Sequence, residues 1–126
     1  MKRLLILATA IGMLWLQACK HRISQDQIPA DVRASLTQHV PQARQVEWEE
    51  NPDYYFAYFT ENEQQGMALF YRADGHWIET DEALKVNNLT IDQKKMLMSF
   101  KAAHIEQIEE VKKSDSTDVI RVTASK

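Results

Sequence analysis

Residues 54–60 read YYFAYFT, and this stretch decides the fold class. Aromatic and β-branched side chains favour strands because they pack well on a pleated, half-buried surface. Turn signals bracket the segment, with NPD at residues 51–53 and a polar run at 61–66. The stretch therefore predicts a β-strand, and its neighbours predict the rest of a sheet.

Four adjacent strands are predicted around this segment. Alternation with a period of two runs over residues 45–49, and two further strands are predicted at 67–72 and 76–80. The last two are separated by Asp74-Gly75, a hairpin signal in which both central residues need φ > 0. Short turns between consecutive strands indicate an antiparallel meander.

A helix is predicted before the meander. Pro29 suits the first helical turn, where its missing N–H costs nothing, and Asp31 favours the positive end of the helix dipole. Val32 and Leu36 recur at helical spacing. The helix should end before Pro41, because the residue preceding a proline is pushed out of the α region.

A second, shorter unit follows. Residues 90–93 read TIDQ, a capping box that should open a helix running to about Ala103. Residues 105–112 and 119–123 are predicted to form a hairpin turned at 114–116. The order of elements echoes the first unit at an offset of roughly sixty residues, which supports a duplicated α-β-β unit rather than a solenoid.

The N-terminus has the pattern of an export signal. Lys2 and Arg3 precede an apolar run over residues 4–16, which is shorter than the roughly 20 residues that span a bilayer. Residues 16–19 read LQAC, which resembles the lipobox of bacterial lipoproteins and makes Cys19, the one cysteine, the expected lipidation site. We expect residues 1–18 to be the signal peptide, 19–27 a polar tether and 28–126 the folded domain. An ordinary signal peptide cut elsewhere and an uncleaved anchor are the alternatives.

Composition limits the function classes. A chain of 126 residues leaves room for one compact domain after its signal segment. Its formal net charge of −3, without a dense Lys/Arg block, argues against binding nucleic acid through phosphates. With Cys19 assigned to lipid, no cysteine remains for a disulfide, so the fold must depend on its hydrophobic core.

The ordered motifs resemble one family. Ile28-Pro29, VEWE at 46–49, YFAYF at 55–59, ALF at 68–70 and GHW at 75–77 are similar to the PepSY-like periplasmic domain, whose fold resembles the β-lactamase inhibitor protein. The resemblance covers about residues 28–124. It implies an α+β fold with two helices packed on one face of an antiparallel β-sheet, in tandem α-β half-repeats with the second one shortened. It also implies binding or inhibition rather than catalysis, and the shortened repeat leaves residues 119–123 as an open strand edge.

Catalytic patterns are not evident. The four histidines lack metal-ligand spacing, the serines lack a nucleophile elbow, and the few glycines form no phosphate-binding loop. Alternation places Glu47 and Glu49 opposite Val46 and Trp48, on a solvated face that could act as an acidic rim selecting basic partners. We expect no enzymatic activity, no metal and no cofactor. A carboxylate-based hydrolase or a small-molecule binder is a weaker alternative, which a deep pocket with convergent carboxyl groups would favour.

The candidate binding residues are the side chains expected opposite the core. Tyr55, Ala57 and Phe59 match the core-facing alternation of the family. The other face then carries six apolar or aromatic residues: Tyr54, Phe56, Tyr58, Met67, Leu69 and Tyr71. An exposed patch of this kind marks a recognition surface. The alternatives are that helices or a neighbouring subunit cover it, or that the faces are inverted.

The sequence thus predicts a lipid-anchored envelope protein that faces the periplasm. It is expected to bind a protein or peptide through an open aromatic sheet face. Inhibition of an exported enzyme is one form that such binding could take. The alternative is a structural or assembly protein that pairs through its exposed strand edge. Lys20 stands where inner-membrane lipoproteins of proteobacteria carry aspartate, which favours the outer membrane.

Overall fold

The structure is a computed structural model that describes residues 4–9, 20–99 and 104–125. Its strands and helices occupy most of these ranges, joined by short turns and two single-turn 3₁₀ helices at Gln25–Gln27 and Val86–Asn88. The elements in chain order are β1 (Leu4–Thr9), β2 (His21–Ile23), α1 (Ala30–His39), β3 (Arg44–Glu50), β4 (Tyr54–Glu61), β5 (Gln64–Tyr71), β6 (Trp77–Ala83), α2 (Ile91–Met98), β7 (His104–Lys113) and β8 (Asp118–Ser125).

The described strands form one sheet in the order β1-β8-β7-β6-β5-β4-β3-β2. Strands β2 to β8 pair antiparallel with their neighbours, and β1 alone pairs parallel, with β8. Helix α1 precedes the four strands β3–β6, and helix α2 precedes the two strands β7 and β8. The predicted α+β fold with a shortened second half-repeat is therefore confirmed.

Helix α1 packs on the β3–β5 region of the sheet. It begins after Pro29 and ends before Pro41, as predicted, and it buries Val32 and Leu36 against the sheet. The facing strand residues include Trp48, Ala57 and Phe70, which are also buried. This first half-repeat holds the larger core.

Helix α2 packs on the same side of the sheet, over β7 and β8. The capping box is present: the Thr90 hydroxyl accepts from the Gln93 N–H at 3.1 Å, and the Gln93 side chain accepts from the Thr90 N–H at 2.8 Å. Leu97 packs against Ile108 and Val122. The described part of the helix ends at Met98, and the expected continuation to Ala103 lies largely outside the described residues. Neither described helix is long enough and apolar enough to cross a membrane.

The hairpin geometry differs from the sequence prediction. Asn62 and Glu63 join β4 to β5 with φ of 49° and 65°, so both residues of this two-residue turn have left-handed backbone. At the predicted turn only Gly75 has positive φ, 74°. Here a Cβ would lie 2.9 Å from Val32 Cγ2, so the turn is shaped by its contact with α1.

The N-terminal segments also differ from the prediction. Residues 19–27 were expected to form a tether, but His21–Ile23 pair with Glu50, Glu49 and Trp48 at the edge of the sheet. Residues 119–123 were expected to form an open edge of the domain without its signal peptide, and in this structure Leu5–Thr9 of that segment pair with them in parallel register. Unsatisfied backbone groups on an edge strand readily accept another strand, and the chain supplies one at each edge. Cys19 lies outside the described residues.

Candidate binding face

The six candidate residues are brought together by the register of β4 and β5. Tyr54 pairs with Tyr71, Phe56 with Leu69, and Tyr58 with Met67. Neighbouring residues Tyr55, Ala57, Phe59, Ala68 and Phe70 belong to the core beneath α1, so the six lie on the side of the sheet opposite both helices. The predicted assignment of faces matches the structure, and we call these six residues the aromatic face.

The aromatic face is only partly open. Phe56 is 1% exposed and Leu69 4% exposed, so both are buried in this structure. Both pack within a cluster that also contains Ile78. Tyr71 is 45% exposed, and Tyr54, Tyr58 and Met67 are intermediate. The expectation of six open side chains is thus corrected to four accessible ones around a buried centre.

The tyrosines at one end of the face are ordered by ring contacts. The Tyr54 and Tyr71 rings lie 5.8 Å apart between centroids, and the Tyr54 and Phe56 rings meet edge to face at 6.3 Å. Asn51 holds the preceding turn, because its side-chain oxygen accepts from the N–H groups of Asp53 and Tyr54, both at 2.8 Å. These contacts pre-organise Tyr54 and reduce the entropy that it would lose on binding.

Lys20 occupies the side of the aromatic face nearest β3. Its ammonium lies 4.7 Å from the centroid of the Phe56 ring and 5.1 Å from that of Tyr58. It donates a hydrogen bond to the Tyr58 hydroxyl and lies 3.7 Å from the Glu49 carboxylate. Two aromatic rings and a carboxylate around one ammonium make an effective cation site. We call Phe56, Tyr58 and Glu49 the ammonium site.

The carboxylates of β3 are less solvated than predicted. The Glu47 side chain is 62% exposed, in agreement with a solvated face, whereas those of Glu49 and Glu50 are 29% and 14% exposed. The difference arises because residues 20–22 are basic and lie directly over them. The alternation of Glu47 and Glu49 is visible in the sequence, but the contact of residues 20–22 with these carboxylates is not.

A buried acidic cluster borders the aromatic face on its other side. Asp81 pairs with Met67, and Glu79 with Leu69, across β5 and β6. Arg121 of β8 donates a hydrogen bond to Asp81 at 3.1 Å and lies 3.6 Å from Glu79 and 3.8 Å from Glu109. We call Glu79, Asp81, Glu109 and Arg121 the acid cluster. No local sequence pattern indicates this cluster, because its members come from three different strands, β6, β7 and β8.

The acid cluster holds a proton at neutral pH. Burial raises the pKa of Asp81 to about 9, reinforced by the hydrogen bond and negative charge of Glu79 and opposed by Arg121. Burial also raises the pKa of Glu109. Asp81 Oδ1 and Glu79 Oε2 are buried acceptors that lack a hydrogen-bond donor within the described part of the chain. A proton on Asp81 Oδ1 makes that oxygen a donor, and Glu79 Oε2 can accept its hydrogen bond. Both buried oxygens then have a partner.

A second carboxyl pair lies away from the aromatic face. Burial raises the pKa of Glu82 to about 7, with a further contribution from the hydrogen bond and charge of Glu61 and opposition from Lys112. Glu82 pairs with Gly66 on the helix-bearing side of the sheet. It therefore takes no part in the binding surface.

Two open depressions flank the aromatic face. One, of about 520 Å³, lies between Tyr54 and Tyr71 at the end of the hairpins. The other, of about 600 Å³, lies between Tyr58 and Glu47. Neither is lined by the carboxyl groups of the acid cluster, so these groups do not converge on either depression. No group of three or more potential metal ligands occurs among the described residues.

No protein-family model matches the chain, and no curated protein matches it significantly. Solved structures do match. A DUF2874 family protein from Bacteroides ovatus aligns with a TM-score of 0.69 at 22% identity, over 80% of this chain and 73% of that one. A BLIP-like protein from Bacteroides fragilis aligns at 0.68 and 19%, over 79% and 73%. The chain has a BLIP-like fold. A candidate periplasmic protein from Bacteroides eggerthii shares this BLIP-like fold at a TM-score of 0.67 and 16% identity, over 78% and 72%.

The expected BLIP-like architecture is therefore confirmed. At these identities the likeness concerns the fold, and the PepSY-like assignment and the lipid at Cys19 remain predictions.

Proposed function

We propose that this protein is a non-enzymatic binding protein of the bacterial envelope, facing the periplasm and anchored through lipid on Cys19. It recognises a protein or peptide through the accessible part of the aromatic face, formed by Tyr54, Tyr58, Met67 and Tyr71. The observation that carries the proposal is the register of β4 and β5, which places these side chains together on the helix-free side of the sheet. Tyrosines in such a position are typical anchors of protein interfaces.

Two further features support a binding role. The open depression beside Tyr54 and Tyr71 offers a place for a side chain of the partner. The periplasmic assignment draws on the lipobox-like sequence of residues 16–19 and on the description of the Bacteroides eggerthii neighbour. Binding that blocks an exported enzyme would be an inhibitory form of the same function.

A photo-crosslinking amino acid at position 71 tests the proposed surface in living cells. We expect it to capture a discrete partner, and the same probe at Gln38, an exposed residue of α1, not to capture it. The captured species should be lost when Tyr54 and Tyr58 are both replaced by alanine. Equal capture from positions 71 and 38, or capture that survives both alanine substitutions, would contradict the proposal.

The anchor has its own test. Metabolic labelling with a fatty acid should mark the wild-type protein and not Cys19→Ala. Label on the Cys19→Ala variant would refute lipidation at this residue and leave the aromatic face untouched.

An assembly role is the second candidate, favoured by one observation. The edge of β8 accepts Leu4–Thr9 as a parallel strand over residues 118–123. Removal of the leader would uncover this edge for a strand from another chain. This role predicts that partner capture survives the alanine substitutions on the aromatic face.

A further inference from the structure

The segment at residues 20–23 has the properties of a bound peptide. His21–Ile23 form a three-residue strand that pairs with Glu50, Glu49 and Trp48 on the outer edge of β3. His21 and Arg22 are exposed and Ile23 is half-buried. The four remaining residues of β3, 44–47, have no ladder partner on that side among the described strands. The segment therefore pairs with the regular end of β3, residues 48–50, whereas the register is irregular between Arg44 and Glu47.

Basic residues of the segment meet carboxylates along this edge. Each of the three basic residues of the segment faces a carboxylate: Lys20 lies 3.7 Å from Glu49, His21 3.2 Å from Glu50, and Arg22 2.9 Å from Glu47. Carboxylates on a strand edge discourage acidic partners and select basic ones.

The ammonium site adds specificity for a lysine-type cation. The Lys20 side chain is only 14% exposed, and its ammonium faces the rings of Phe56 and Tyr58. Phe56 is buried while a cation lies over it. A cation is held more strongly by such rings when it is shielded from water, so the site is suited to an ammonium in particular.

We infer that Lys20–Ile23 is the chain's own occupant of a site for a basic, extended peptide segment of a partner protein. The partner's segment would pair with β3 and place a lysine in the ammonium site, displacing Lys20. This inference rests on the proposed binding function and specifies its partner class and its regulation. An anionic membrane surface is a poorer occupant, because it offers no backbone ladder and would meet the β3 carboxylates.

The exchange requires the cis segment to leave the edge, which would also take Ile23 away from the core that it packs against. The segment's exposed ion pair between Arg22 and Glu47 contributes little in water, and its ladder is three residues long. A tethered segment nevertheless competes at an effective concentration on the order of millimolar. A segment that fills the site about nine-tenths of the time lowers the apparent affinity of a competing peptide about tenfold.

The test measures binding of a fluorescent synthetic peptide to the purified full chain. The peptide has the sequence of residues 20–27, KHRISQDQ, and the comparison peptide carries glutamate at its first and third positions. Lys20→Gln should raise the affinity for the basic peptide about tenfold, since the competing cation is gone. Lys85→Gln, a charge removal at an exposed lysine outside β2 and β3, should match wild type. Thermal melts confirm that each variant is folded.

Three results would overturn the inference. They are an unchanged or weaker affinity in Lys20→Gln, equal binding of the acidic comparison peptide, and undiminished binding when Glu49→Gln is added to Lys20→Gln. Binding to phosphatidylglycerol vesicles that falls in Lys20→Gln, without any peptide binding, would assign the segment to the membrane instead. Peptide binding without capture from position 71 would uphold this inference and refute the proposed function. Capture from position 71 without peptide binding would refute this inference and uphold the proposed function.

Discussion

Replacing Asp81 with asparagine should remove a large pH dependence of stability. Below pH 3.8 the carboxyl group is protonated in both the folded and the unfolded chain. As pH rises, the unfolded chain releases the proton while the folded protein holds it up to about pH 9, because burial raises the pKa of Asp81. The folded state then binds more protons than the unfolded state, so the free energy of unfolding falls with rising pH across this window.

The magnitude follows from the pKa. Within the window each pH unit lowers the free energy of unfolding by about 1.4 kcal/mol, so this group alone should cost wild type about 4 kcal/mol between pH 5 and pH 8. Asparagine reproduces the protonated state: its amide can donate to Glu79 Oε2 and its oxygen can accept from Arg121. D81N should therefore be the more stable protein at pH 8.

Urea denaturation at pH 5, 6, 7 and 8 provides the assay. Glu82 lies on the other side of the sheet and titrates in both proteins, so the difference between the two curves reports on the acid cluster with and without the Asp81 carboxyl. Glu106→Gln, the same chemical change at an exposed position, should follow wild type at every pH. Parallel curves for wild type and D81N, or a D81N protein that is less stable at pH 8, would refute the proton on Asp81.

Three sites test local contacts in the core beneath α1, in the turn before β4 and at the start of α2, each by urea denaturation. Gly66→Ala should destabilise the protein by about 1–3 kcal/mol, because the added Cβ would lie 2.5 Å from Phe59 Cζ. Adding Phe59→Leu should recover part of this loss. An unchanged urea midpoint in Gly66→Ala would contradict the contact. Asn51→Ala should cost about 2 kcal/mol through its two lost turn hydrogen bonds, and a cost near zero would show that the turn holds without them. Thr90→Ala should cost about 1 kcal/mol while Thr90→Ser stays near wild type, and equal losses in the two variants would argue against the capping box.

Local patterns in the sequence were sufficient for the main elements. Pro29 and Pro41 bracket α1 because proline acts on its immediate neighbours. The capping box at Thr90 is also a short-range signal. The period-two alternation of β4 placed Tyr54 and Tyr58 on one face, and the resemblance to the PepSY-like domain assigned that face to the side opposite the core.

Long-range contacts were beyond the reach of such patterns. Lys20 and Tyr58 are 38 residues apart, and Asp81 and Arg121 are 40 apart. A three-residue strand is too short to show a periodicity, so β2 was interpreted as tether. One signal was present: the basic run KHR at 20–22 matches the acidic run at 47–50 in charge, and pairing these runs would have indicated the covered edge.

Oxidative footprinting in intact envelopes tests the central claim most directly, because it requires no knowledge of the partner. Tyr71 and Met67 lie on the aromatic face, whereas Met98 is 84% exposed on α2. If the aromatic face is the binding surface, hydroxyl radicals should modify Tyr71 and Met67 several-fold more slowly in the envelope than in the purified protein, and Met98 equally in both. Equal modification of all three residues in the two settings would contradict the account.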